Sequence, residues 1–290
     1  MSASRAAVRR VLTDPGGAVG VVLSAAMVAL ALLAPAIAPV DPFAAVGAPL
    51  RPPGRVHLLG TDDLGRDLLA GVVHGARTSL LVVAAVTLLS GALGIAVGAA
   101  AGYRPGAVDD LLMRLAELAQ VVPRFFLAVI VIALFGPGLD RLVLVLGLTS
   151  WPTLARVVRA QILSLRRQEF VEAARALGAS GPRVILRHVL PHALPAALVV
   201  ISLNGAAVIL LEAGLAFIGL GDPHAMSWGY LASNAQRFLR VAWWMACFPG
   251  AAIAGAILGL NLLGDALSEL ASPQLARASG SGGRGTAAAA

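Results

Sequence analysis

Seven charged side chains, Arg166, Arg167, Glu169, Glu172, Arg175, Arg183 and Arg187, fall between two runs that are too apolar for a soluble surface. Charges at that density stay in water, so the segment 159–191 is a water-exposed loop between membrane-embedded elements. Within it Phe170, Ala173, Ala174 and Leu177 recur at helical spacing and make one apolar face, with Glu172 and Arg175 on the other side. Gly178 is placed as the residue just past a helix end, and Ser180 and Pro182 suit the N-cap and first turn of a new helix. Chemistry alone leaves two readings side by side. Either the small alanines let a partner's groove approach the helix closely, or the helix rests on lipid headgroups.

Other reactive side chains are sparse. His57, Asp62, Asp63, Asp67 and His74 lie close in sequence, but their spacing fits no standard metal-ligand pattern. A structured turn fits better: Gly60 and Gly65 permit tight backbone, and pairing of Asp62 or Asp67 with Arg66 or Arg77 fixes the segment where the next apolar run begins. Glu212 stands alone in an apolar run and is expected inside a helix bundle, on a solute path or a subunit interface, because exposing a carboxylate to lipid is costly. Glu117 and Arg124 are seven residues apart, which puts them on one face of a continuous helix pointing away from lipid. The single cysteine, Cys247, rules out an internal disulfide and is expected to be a small buried hydrophobe. All 22 basic residues are arginine, so a P-loop, which needs its lysine, is excluded, as is Schiff-base chemistry. There is no HExxH and no Ser/His pair at readable spacing, and no cofactor is expected.

The elements that carry these residues are membrane helices. Hydrophobic residues make up 58% of the chain and charged ones 13%, about half the charged share of a soluble domain. Six runs approach the roughly 20 apolar residues that a bilayer crossing needs: 18–40, 78–102, 111–135, 142–158, 193–220 and 241–263. The fold class is all-α, a polytopic membrane protein with six transmembrane helices. The first run follows Arg5, Arg9 and Arg10 and imitates a signal peptide, but its apolar core is too long for one. Arginine placement orients the chain. The N-terminal tail 1–17 and the loop 159–191 are both basic and four spans apart, hence both cytoplasmic, with the C-terminus on the same side. Segments 41–77 and 221–240 then face outward. The net charge of +7 is read as cytoplasmic arginines facing anionic lipid rather than as a nucleic-acid surface. The tail 273–290 is rich in Gly, Ser and Ala and is expected to be disordered. Gly94, Gly98 and Gly102 in the second run and Gly255 and Gly259 in the sixth are small residues four apart, the pattern for close helix packing within the subunit.

The sequence also resembles a known family. Glu172, Ala173 and Ala174, then Gly178, then Leu190 and Pro191 resemble the EAA loop of ABC importer permeases, EAA-x3-G-x9-I-x-L-P, with His188 standing at the Ile position. LGTDDLGRD at 59–67, followed by Gly75, Arg77, Ser79 and Leu80, resembles the signature LGTDxxGRD…GxRxSL of the C-type permease of dipeptide, oligopeptide and nickel importers. AGY at 101–103, SWP at 150–152, FIGLG at 217–221, SWG at 227–229, FPG at 248–250 and NLLGD at 261–265 extend the match over residues 10–272. The resemblance implies a type I ABC importer permease-like fold in the cell membrane, forming half of a channel with a second permease subunit. It also implies two cytoplasmic ATP-binding subunits and an external substrate-binding protein as partners. Glu172, Ala173, Ala174, Gly178, Leu190 and Pro191 would couple the chain to ATP hydrolysis on those partners. Gly60, Thr61, Asp62, Gly65, Arg66, Asp67 and Arg77 would form an external-loop motif. The implied cargo is a di- or oligopeptide, with nickel or another small solute as the alternative within the class. A secondary transporter is the alternative outside it; that class expects repeats with midplane charged pairs and interrupted helices, and the EAA spacing counts against it.

Overall fold

The structure, a computed structural model, describes residue 11 and residues 13–271. The tail 273–290 and most of the tail 1–17 lie outside the described residues. Among the described residues helix dominates, and the only strand-like pairings are two isolated bridges, Ala45 with Arg66 and Thr61 with Asp67.

Five helices are long and apolar enough to cross a membrane, and a bent pair makes a sixth crossing if counted as one. Helix α1, Pro15–Leu32, starts where Asp14 accepts the N–H of Gly17, and a short helix α2, Ala34–Ile37, follows it. Helix α3, Leu68–Tyr103, begins ten residues before the expected 78, because Asp67 caps it through Ala70 N–H. Its 36 residues rise about 54 Å, well beyond a hydrocarbon core of about 30 Å.

The third expected span is broken. Helix α4, Ala107–Val121, and helix α5, Arg124–Phe135, meet at a 70° bend. Pro123 supplies no N–H and disfavours helix at Val122, so the chain turns there. Glu117 is exposed on α4 while Arg124 opens α5, so the shared face expected of a continuous helix does not exist.

The fourth span is longer than its apolar run. Helix α6, Leu139–Leu165, continues past Arg156 and Arg159, and Asp109 of α4 pairs with Arg159. Helices α7, Glu169–Ala176, and α8, Gly181–Val184, form the charged loop. Wider π-type turns at Ile185–Val189 lead into α9, Leu190–Leu215, and a second set closes it at Ala216–Leu220. Helix α10 is Trp228–Ala235 and α11 is Trp244–Ala271.

Glycine sets how close these helices come, as the four-residue spacing predicts. A Cβ on Gly98 would meet the Ala155 carbonyl oxygen at 2.5 Å, and one on Gly102 would meet that of Arg159 at 2.9 Å, so α3 lies backbone to backbone on α6. Gly259 faces Leu23 and Ser24, and Gly20 faces Leu262 and Leu263, which joins α11 to α1. The exterior is apolar: Leu32 and Leu88 are each 76% exposed. Helices with inward glycines and outward leucines suit hydrocarbon, not water. Cys247, expected to be buried, is exposed on this apolar exterior.

Candidate functional site

The charged loop is a rigid strap. Helix α7 ends in a Schellman motif: Gly178 adopts φ +82°, its N–H reaches the Arg175 carbonyl at 2.9 Å, and Ala179 N–H reaches that of Ala174 at 3.1 Å. The position past the helix end is therefore glycine for a backbone reason. Ser180 stands at the N-cap of α8 with Pro182 in its first turn, although its hydroxyl makes no capping bond.

The apolar face of α7 is not the one expected. Val171 and Ala174 are the buried pair, packed with Val158, Ile162, Val184 and Val189 under the ends of α6 and α9. Phe170, Ala173 and Leu177 point outward, Leu177 being 89% exposed. Of the expected face only Ala174 is buried, and Val171, outside that expected set, packs in the same cluster as Val184. Ala174 therefore serves this chain's own packing, whereas Ala173 is free to meet a partner. Glu172 and Arg175 are exposed, and Arg175 lies over the Tyr103 ring at 5.9 Å. The same Tyr103 hydroxyl sits where a Gly181 side chain would be, joining the end of α3 to the strap. Leu190 and Pro191 open α9, and the half-buried His188 presents its carbonyl to His192 Nδ1 at 2.8 Å.

At the opposite end of the bundle, residues 41–67 fold into a plug. Thr61 is fully buried; its hydroxyl donates to the Ala48 carbonyl at 2.7 Å and accepts the Arg51 N–H at 2.9 Å. Gly60, at φ +82°, lies against the Arg51 carbonyl and the Trp244 ring, and Gly65, at φ +73°, lies against the Gly47 carbonyl. The Asp–Arg pairing expected here does not form. Asp62 accepts the N–H groups of Leu64 and Arg66, at 2.9 and 2.8 Å, and burial raises its pKa against their opposing effect. Asp67 accepts from Ala70 N–H and pairs with His57 Nδ1 at 2.8 Å. Arg66 instead stacks over Phe43 and donates to the Tyr230 hydroxyl at 3.1 Å, while Arg77 is exposed on α3. These contacts bind plug, α3 and α10 into one body.

Between the two ends lies a cavity of about 250 Å3 with mostly apolar walls, into which Ser90, Arg124, Ser150, Thr153 and Asn204 bring polar groups. Arg124 Nη1 donates to Ser150 Oγ at 3.0 Å and to Asn204 Oδ1 at 3.2 Å. Only Arg124 of this set draws attention in the sequence, as a charge inside an apolar run. Ser90 and Asn204 carry no motif, Ser150 belongs to the SWP match without any role read from it, and three helices must fold together before they meet. Glu212 lies inside the bundle, 4% exposed, with Ser79 Oγ 3.4 Å away, and it is not among the residues lining this cavity. A larger groove of about 580 Å3 runs between the end of α3 and the strap, and its walls, including Ala96, Ala99, Ile185 and Leu186, are mostly apolar.

A bundle of apolar helices with a rigid water-exposed strap, a capped opposite end and a pocket holding polar groups between them has the layout of a membrane transport component. The protein family described as the binding-protein-dependent transport system inner membrane component matches residues 94–277. This chain belongs to that family. The permease is 35% identical over 273 residues to the di/tripeptide transport system permease protein DppC of Pseudomonas aeruginosa, covering 91% of this chain and 90% of the relative. It is 34% identical over 226 residues to the oligopeptide transport system permease protein OppC of Bacillus subtilis, covering 78% of this chain and 74% of that one. Among solved structures, a chain of the inward-facing MetNI methionine ABC transporter superposes with a TM-score of 0.56 at 19% identity, covering 69% of this chain and 96% of its own length. That likeness establishes the fold. The permease is thus a multi-pass membrane protein with an ABC transporter permease fold, as the motifs implied.

Proposed function

We propose that this permease is one of the two membrane subunits of an importer for di- or oligopeptides in the cell membrane, the inner membrane if the cell is Gram-negative. It pairs with a second permease subunit, docks two cytoplasmic ATP-binding subunits, and receives cargo from an external substrate-binding protein. ATP hydrolysis belongs to the partners, since a chain without lysine carries no P-loop. The peptide cargo is supported by the names of the relatives.

The observation that carries the reading is the outward ridge of Phe170, Ala173 and Leu177 on a helix held firmly from beneath by Val171 and Ala174. An apolar ridge amid arginines in water calls for a complementary groove, and a rigid helix transmits force where a floppy loop would not. Glu172, Ala173, Gly178, Leu190 and Pro191 shape this coupling element, with Ala174 as its inner support. The strap packs on the ends of α6 and α9, and those helices also carry Ser150 and Asn204. Closure of the ATP-binding subunits would therefore move the walls of the central cavity, a switch between two packed arrangements. The plug built on Gly60, Thr61, Asp62, Gly65, Arg66 and Asp67, with Arg77 beside it, is the outer seat for the binding protein, and both termini are cytoplasmic.

The test is reconstitution of both permease subunits, the ATP-binding subunits and the binding protein in liposomes with labelled dipeptide. ATP-dependent accumulation that disappears when this chain is omitted is the expected result. Accumulation driven by a proton gradient without ATP would overturn the reading in favour of a secondary transporter.

A further inference from the structure

We propose that Arg124 receives the carboxylate of the solute in transit. The inference rests on the peptide-import reading above and adds a chemical contact to it.

Helix lengths place Arg124 deep within the bundle rather than at either end. Helix α5 rises 12 residues from Arg124 to its end at Phe135, about 18 Å, and Ser150 lies a similar distance along α6 from Leu139. Half of a hydrocarbon core is about 15 Å. The cavity around it reaches the surface of the chain, because its lining residues Thr153 and Leu203 are exposed. A guanidinium with two hydroxyls and an amide cannot open onto lipid at that depth without a large cost. The mouth therefore faces the aqueous path that this chain forms with its partner.

The guanidinium is held but not satisfied. Nη1 is fixed by Ser150 Oγ and Asn204 Oδ1, and Asn204 Nδ2 in turn approaches Ser90 Oγ at 3.4 Å. Among the described residues Nε and Nη2 donate no hydrogen bond, and no carboxylate pairs with Arg124. Nε and Nη2 form the edge that accepts a carboxylate through two parallel hydrogen bonds. Arg124 is itself the first residue of α5, whose N-cap, Pro123, makes no side-chain capping bond. A pre-oriented fork on the wall of a small cavity that opens onto the path suits the terminal carboxylate of a peptide.

The experiment uses the complete reconstituted complex and compares import of a labelled dipeptide with import of its C-terminal amide. The same binding protein serves wild type and variant, so its own preference cancels when the acid-to-amide ratios are compared. Arg124→Gln is expected to lower the ratio about 10-fold or more, by slowing the acid and sparing the amide. Arg124→Lys, which keeps the charge but loses the fork, should fall between. Should Arg124→Gln not assemble, Ser150→Ala, which releases Nη1, is expected to lower the ratio severalfold. An unchanged ratio in the variant that assembles overturns the inference, whereas a wild-type complex that imports no peptide overturns the functional reading itself.

Discussion

Arg159 grips Asp109 with both prongs of its guanidinium, Nε to Oδ1 at 2.5 Å and Nη2 to Oδ2 at 2.6 Å. The pair ties the first turn of α4 to the far end of α6. In sequence Arg159 is one more arginine of a charged loop; in the fold it is half-buried on a helix, against a carboxylate that is 6% exposed.

Removing one partner should therefore hurt more than removing both. Arg159→Gln leaves Asp109 buried without its cation and should cost about 1–3 kcal/mol, with the lower end favoured because the Arg159 side chain is 33% exposed. Adding Asp109→Asn should recover part of that loss. Thermal stability in detergent, followed by loss of the monodisperse peak, measures both, with exposed Arg183→Gln as the silent control. Equal melting of Arg159→Gln and wild type would show that the pair contributes nothing.

Docking of the ATP-binding subunits should depend on the outer ridge of α7. Ala173→Glu and Leu177→Glu place a charge in the proposed contact while pointing into water in the isolated subunit. They should reduce co-purification of those subunits by orders of magnitude and leave membrane insertion intact. Ala174→Glu should instead destabilise the strap, since Ala174 is packed against the bundle. Wild-type association in both outer variants would make α7 an interfacial anchor.

Helix spacing should be far less tolerant on α3 than at the open glycine of α11. Gly98→Ala forces a Cβ to within 2.5 Å of the Ala155 carbonyl, so α3 and α6 must separate, at a cost of about 1–3 kcal/mol. Gly250→Ala meets nothing within 4 Å and should match wild type or exceed it slightly. Expression and melting of the two variants, compared side by side, decide the point.

The two ends of the bundle should label from opposite sides. In a Cys247→Ser background, single cysteines at Arg55 and His224 should react with a membrane-impermeant thiol reagent on intact cells or spheroplasts, and one at Leu177 only after the membrane is opened. All three positions are exposed. Protection of position 55 in intact cells would reverse the orientation inferred from the arginines.

Residue types and spacing alone determined the helical class, the strap with its glycine end and the tight glycine faces. Each depends on neighbours within a few turns: apolar run length, a helix cap, a four-residue repeat. Tertiary structure decided what depends on partners far along the chain. Apolar run length suggested one continuous helix over 111–135; the packed bundle shows the 70° bend beside Pro123 and brings Ser90, Ser150 and Asn204 around Arg124. Asp109 meets Arg159 of α6 from 50 residues away. Arg66 took the Phe43 ring and the Tyr230 hydroxyl over the adjacent carboxylates, while Asp62 and Asp67 are held by backbone N–H groups and His57. Periodicity put Phe170, Ala173, Ala174 and Leu177 on one apolar face of α7; the packed bundle instead buries Val171 with Ala174 and leaves Phe170, Ala173 and Leu177 outside. A charge or a methyl group announces in sequence that it needs a partner, but which partner it finds is a property of the packed whole.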